Sequence, residues 1–336
     1  MRRAWPIKFA LVLTLAGIAR AQTPPAPQPD PRLAAALQRY DRGDRDGAKQ
    51  ELERLRVAAK DDGGLLVTIA DELETRHEYA AAEPFARRAT ELMPDFGPAH
   101  MRLGVSLIFS DRVLEAEQVF RAAAKRFSGT QDEPDLVFNL GMACAMQNKR
   151  TEAGEWFAKA LALRPKENLY RFSAAENDRN LKRFKEAEAG FRLAMVEPRH
   201  PDAGWKLAVT LAEMERYEEA EALFRTQLRD LPPASRVNAG FEYAAFLFDR
   251  GRAAEALPML ESIVKARPGH RLGWYYLARS YRAVGRKEDA AAAVKRYQAL
   301  QAEADRSEDE YLLSLIRTHP TAPASASEQK EMPSRR

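Results

Sequence analysis

A helix-pair signature returns eight times along this chain, and that period leaves few folds open to it. Each unit carries a small residue: Ala36, Ala70, Gly104, Gly141, Ala175, Ala208, Ala244 and Ala278. An alanine follows twelve residues later: Ala48, Ala82, Ala116, Ala153, Ala187, Ala220, Ala256 and Ala290. Successive units lie 34, 34, 37, 34, 33, 36 and 34 residues apart. Four residues beyond the second alanine stand Leu52, Ala86, Phe120, Phe157, Phe191, Phe224, Leu260 and Val294, and Pro94, Pro165, Pro232 and Pro268 close several units. A small residue at a helix crossing, an alanine facing it and an apolar side chain one turn on are what close helix packing needs. The pattern predicts helix pairs stacked into one continuous array rather than two globular domains.

These units resemble the tetratricopeptide repeat family over about residues 30 to 304. Repeat eight carries the likeness in Trp274, Leu277, Ala278, Tyr281, Gly285, Ala290 and Val294, and repeat four in Leu140, Gly141, Ala153, Phe157, Ala160 and Pro165. Repeats one and five depart from it, with Arg39 and Asp178 where the family places an aromatic or apolar residue. The resemblance implies an all-α, right-handed superhelical solenoid of about eight helix-turn-helix repeats, here residues 33–304.

The flanks are simpler. Arg2, Arg3 and Lys8 precede an apolar run from Phe9 to Ile18 and a small-x-small site at Ala19-Arg20-Ala21, so residues 1–21 read as a secretory signal peptide cleaved before Gln22. The apolar run is about half of what a bilayer span needs. The expected location is periplasmic or secreted, with no membrane-spanning segment after cleavage. Residues 22–32 form a proline-rich lead-in and 319–336 a polar tail. Ser307 and Glu310 make a capping-box pattern that predicts a C-terminal capping helix over 305–318, although the absence of Gly and Pro from Arg286 to His319 also allows one long helix.

The formal charge of +4 belongs to the leader, whose four basic residues leave 53 − 4 = 49 cations against 49 acids in the mature chain. A neutral balance gives no electrostatic footprint for nucleic acid. The five histidines, His77, His100, His200, His270 and His319, lack metal-ligand spacing, and no phosphate-cradling glycine loop or nucleophile elbow occurs. Cys144 stands alone, three residues after Gly141, and reads as a buried structural thiol. No cofactor and no enzymatic activity are expected.

The first helices carry a second stripe. Three residues before each small residue stand Leu33, Val67, Met101, Phe138, Phe172, Trp205, Phe241 and Tyr275, the last five all aromatic. At 3.6 residues per turn this stripe points about 120° from the one that packs on the second helix. The family resemblance implies that such a stripe lines the concave surface where peptides bind. The three aliphatic members read as core. The aromatic five fit either a groove floor or the seam between neighbouring repeats.

Farther along that face lie Met142, Glu176, Arg179, Phe248, Arg279 and Arg282, of which Arg279 and Arg282 are placed to pair with an acidic ligand. Of the carboxylate clamp known in the family, only Asn139 falls suitably. Asp178 lies on the packing stripe, with Arg179 and Lys182 near enough to neutralise it. The expected function is a scaffold that binds a protein or peptide in the groove, in bacterial envelope assembly or secretion. The alternative is a polysaccharide partner in exopolysaccharide export, stacked on the aromatic ladder.

Overall fold

The computed structural model describes residues 31–318, so the leader, most of the proline-rich segment and the polar tail lie outside the described residues. Sixteen α-helices and no strand occur among the described residues. The first helices of the eight repeats are α1 (Pro31–Asp41), α3 (Gly63–Thr75), α5 (Gly97–Phe109), α7 (Glu133–Met146), α9 (Asn168–Asn180), α11 (Ala203–Glu213), α13 (Pro233–Asp249) and α15 (Arg271–Ala283). Their partners are α2 (Arg45–Ala58), α4 (Tyr79–Leu92), α6 (Val113–Arg126), α8 (Arg150–Leu163), α10 (Phe184–Ala194), α12 (Tyr217–Asp230), α14 (Ala253–Ala266) and α16 (Lys287–Thr318). The fold is an all-α repeat solenoid, and the chain divides into two compact units, Met1–Leu223 and Phe224–Arg336.

Within each unit the repeat signature does the packing expected of it. All eight second alanines are buried, as are the six alanines among the first small residues. Where the small residue is glycine, the partner ring fills the missing side chain's place. A Cβ on Gly141 would sit 2.8 Å from the Phe157 ring, and one on Gly104 would overlap the Phe120 ring. Helices α4, α8, α12 and α14 each stop two residues before a proline, which disfavours helical backbone in the residue preceding it.

The turn inside each repeat follows one rule. Seven residues after the small residue the backbone takes a positive φ, at Gly43, His77, Asp111, Asn148, Lys182, Glu215, Gly251 and Gly285. The next N–H then reaches back five residues, as from Glu78 to the Leu73 carbonyl and from Arg286 to the Tyr281 carbonyl. This is the Schellman closure, which satisfies carbonyls left open at a helix end and reverses the chain.

Two details differ from the sequence expectation. Residues 305–318 do not form a separate capping helix; α16 runs unbroken from Lys287 to Thr318, since no Gly or Pro interrupts its backbone. Asp178 finds its cation in Arg183, 3.7 Å away, rather than in Arg179 or Lys182. Lys182 is taken up by the left-handed turn, and Arg179 is drawn to two glutamates.

Candidate functional site

The aromatic stripe lies inside the protein. Phe138 is 1% exposed, Trp205 5%, and Phe172 and Phe241 8% each, while Met142 beside them is buried as well. Neighbouring first helices touch in several repeats, α1 with α3, α3 with α5, α5 with α7, α9 with α11 and α13 with α15. Three of the rings, Phe138, Phe172 and Phe241, meet side chains of the following repeat and fill the seam there. Phe138 stacks on Tyr170 with centroids 4.6 Å apart and meets Phe157 at 5.7 Å. Phe172 lies against Phe191 and stacks on His200 at 3.8 Å. Phe241 packs on His270 and Tyr276, and the Trp205 Nε1–H donates to Asp202 with the Lys206 ammonium above its ring. The groove-floor expectation is therefore corrected for Phe138, Met142, Phe172, Trp205 and Phe241. Of the five aromatic residues only Tyr275, at 38%, is exposed.

His200 takes a further property from this seam. The Asp202 N–H donates to its Nδ1, which places the neutral ring's proton on Nε2, a buried atom without a partner among the described residues. Burial holds its pKa down to about 4, against the opposing pull of the Asp202 carboxylate. A histidine with a depressed folded pKa contributes stability that is full above about 6.5 and lost as pH falls through 4. Wild-type melting is expected to drop across that window, by an amount that His200→Phe removes because it keeps the stack without the proton. A melting series in pH checks this, and parallel curves for the two proteins would contradict it.

The charged positions are mostly neutralised by neighbours. In repeat five, Glu176 accepts from Arg179 at 2.8 Å and from Lys206 of repeat six at 2.9 Å, and Arg179 also reaches Glu213 at 3.0 Å. Burial works against ionisation of Glu176, yet Lys206 and Arg179 outweigh it and hold the carboxyl down to about 2. The same register recurs at repeats two and three. Arg102 pairs there with Asp71 at 2.7 Å and with buried Glu74 at 2.9 Å, and Ser106 donates to Glu74. Burial pushes the Glu74 carboxyl up to about 7 despite the Arg102 cation. Glu176 and Arg179, expected as ligand contacts, thus tie first helices to each other. Asn139 is buried too, its amide donating to the Asp135 carbonyl.

A second charge ladder escapes the sequence reading. One residue after the second alanine, Glu83, Glu117 and Glu188 each bind an arginine four residues on (Arg87, Arg121, Arg192) and a cation from the next repeat's turn (Arg112, Lys149, Arg216). The recurrence of Glu-x-x-x-Arg at that fixed offset was the available signal. Here Glu117, Cys144 and Glu152 approach within 4.8 Å, a spacing a metal ion could use. Arg121 Nη2 already bonds both carboxylates at 2.6 Å, and burial pushes the Cys144 thiol up to about 11. That donor set fits a guanidinium rather than a metal.

Repeat eight is arranged differently. Arg279 lies over the rings of Phe248, at 4.7 Å, and Tyr275, at 5.4 Å, with Nη1 3.3 Å from the Tyr275 hydroxyl. Tyr276 and Tyr297 pack edgewise and tilted against Tyr275. Arg279 and Arg282 are exposed, and neither forms an ion pair among the described residues. The structure thus brings Phe248, Tyr275 and Arg279 together and leaves Arg282 one turn away on the same helix.

Against known proteins, residues 101–168 and 247–308 each match the model of the tetratricopeptide repeat. The chain is a tetratricopeptide-repeat protein. No curated protein matches it in sequence. Among solved structures, this tetratricopeptide-repeat protein is similar to a chain of the APC/C hetero-tetramer Cut9–Hcn1, at 17% identity and a TM-score of 0.58, over 70% of this chain and 46% of that one. It spans less than half of that relative's length. A tetratricopeptide repeat protein from Parabacteroides merdae gives 16% identity and 0.58 over 71% and 93% of the two chains. Pseudomonas aeruginosa pilF gives 16% and 0.51 over 74% and 99%. At such identities the likeness is one of fold.

Proposed function

We propose that this tetratricopeptide-repeat protein is an exported, non-enzymatic scaffold that binds a protein or peptide partner in the bacterial envelope. The observation that carries the reading is the repeat architecture, an all-α succession of helix pairs in which two stretches match the tetratricopeptide repeat. The chain similar in fold from Cut9–Hcn1 belongs to a hetero-tetramer, which agrees with a role in assembly. Export rests on the order of basic, apolar and small-x-small segments in residues 1–21. No helix among the described residues is long and apolar enough to cross a membrane.

Polysaccharide binding rested on an exposed aromatic ladder, and burial of four of its five rings removes that support. The test is fractionation of the native host followed by cross-linking and mass spectrometry of the purified protein. A chain beginning at Gln22 in the envelope fraction, joined reproducibly to one partner protein, is the expected result. An intact Met1, or no protein partner, would count against export or against the scaffold role respectively. A glycan array on the same material decides the sugar alternative.

A further inference from the structure

We propose that the exposed face of repeat eight, built from Tyr275, Arg279 and Arg282, binds an acidic peptide segment of the partner. The inference rests on the scaffold reading and names the chemistry its ligand must carry.

Register carries the argument. Arg179 and Arg282 occupy the same position, four residues after the small residue of their repeats, and Glu176 and Arg279 share the position one residue after it. In repeat five the pair is acid and base and neutralises itself, with Glu213 and Lys206 completing the network. In repeat eight both positions are arginine, so the same geometry sets two cations side by side. Arg286, four residues beyond Arg282, is paired: it holds Asp289 at 2.6 Å and Glu261 at 3.3 Å. Asp249 of repeat seven interacts with Arg279 through space without forming an ion pair among the described residues.

The aromatic setting makes Arg279 more than a solvated charge. Its guanidinium lies over the Phe248 and Tyr275 rings and reaches the Tyr275 hydroxyl through Nη1, contacts that hold the group in place and leave its other N–H donors for a ligand. A planar, pre-oriented fork suits a carboxylate, which it can bind through two parallel hydrogen bonds. Tyr275, exposed at 38%, offers a ring beside the charge for an apolar neighbour in the same peptide. A nucleic acid would need a broad basic surface, and the mature chain's balanced charge supplies none.

The experiment is selection of random phage-displayed peptides on the immobilised full-length protein. The winners are then measured against wild type, Arg279→Ala/Arg282→Ala and Arg279→Lys/Arg282→Lys. Both arginines are exposed, and unchanged melting confirms that the variants fold. Selected peptides are expected to be enriched in Asp and Glu next to an apolar residue. They should bind the alanine variant roughly tenfold or more weakly, and the lysine variant in between, since lysine keeps charge without the fork. Peptides with no acidic preference, or bound equally by the alanine variant, would overturn this proposal and leave the scaffold reading standing. Failure of wild type to select any peptide would overturn both.

Discussion

Gly104→Leu is expected to disrupt repeat three and to lower stability by about 3 kcal/mol, the upper end of what overpacking a tight core costs. The cause is steric. Even the first carbon of the new side chain would overlap the Phe120 ring, which is fully buried. Gly141→Leu should be milder, because its Cβ meets the edge of the Phe157 ring at 2.8 Å. Urea unfolding of the two variants beside wild type checks both the size and the order. Stability unchanged in Gly104→Leu would mean that the small-residue register of repeat three is misplaced.

Arg102→Ala is expected to cost about 3–5 kcal/mol at pH 8, because it leaves two carboxylates facing each other, one of them buried, without their cation. The cost has a pH signature. Glu74 already sits near 7 with Arg102 present, since burial raises it. Removing the cation raises it further, so the variant stabilises itself by binding a proton as pH falls. A carboxyl raised in the folded state contributes stability that is full below its unfolded value near 4.5 and is lost as pH climbs through its folded value. Denaturant titrations at pH 5 and pH 8 should therefore show a smaller gap between variant and wild type at the lower pH. An equal gap at both would mean that Glu74 is not the group left exposed to the missing charge.

The parts of the fold that were legible in the sequence share one cause: sterics. Gly104 and Gly141 oppose Phe120 and Phe157 because only a hydrogen fits between a ring and a crossing helix, and that demand recurs at a fixed spacing any reader can count. The prolines marked helix ends for the same kind of reason. The left-handed turn residue was less visible. Only three of its eight occurrences are glycine, and His77, Lys182 and Glu215 take the conformation inside a Schellman closure whose hydrogen bonds hold it.

The candidate site was harder to read, for two physical reasons. Helical periodicity gives the angle at which Phe138 or Trp205 projects, but not what covers that angle; Tyr170 lies 32 residues from Phe138 and closes over it. Charge is likewise settled by distant partners. Arg179 and Arg282 occupy equal positions in their repeats, but Glu176 and Glu213, the second 34 residues away, tie down the first, while Arg279 takes the Glu176 position beside the other.

From Phe138 to Phe241 the aromatic stripe of the first helices is packed core rather than a binding floor. Thermal unfolding of Trp205→Ala and Phe241→Ala, followed by circular dichroism, tests it most directly. Loss of a buried ring should cost about 3–5 kcal/mol in each variant, seen as a lowered midpoint and reduced helicity. Midpoints and helicity matching wild type in both variants would contradict the claim and return these rings to an open surface.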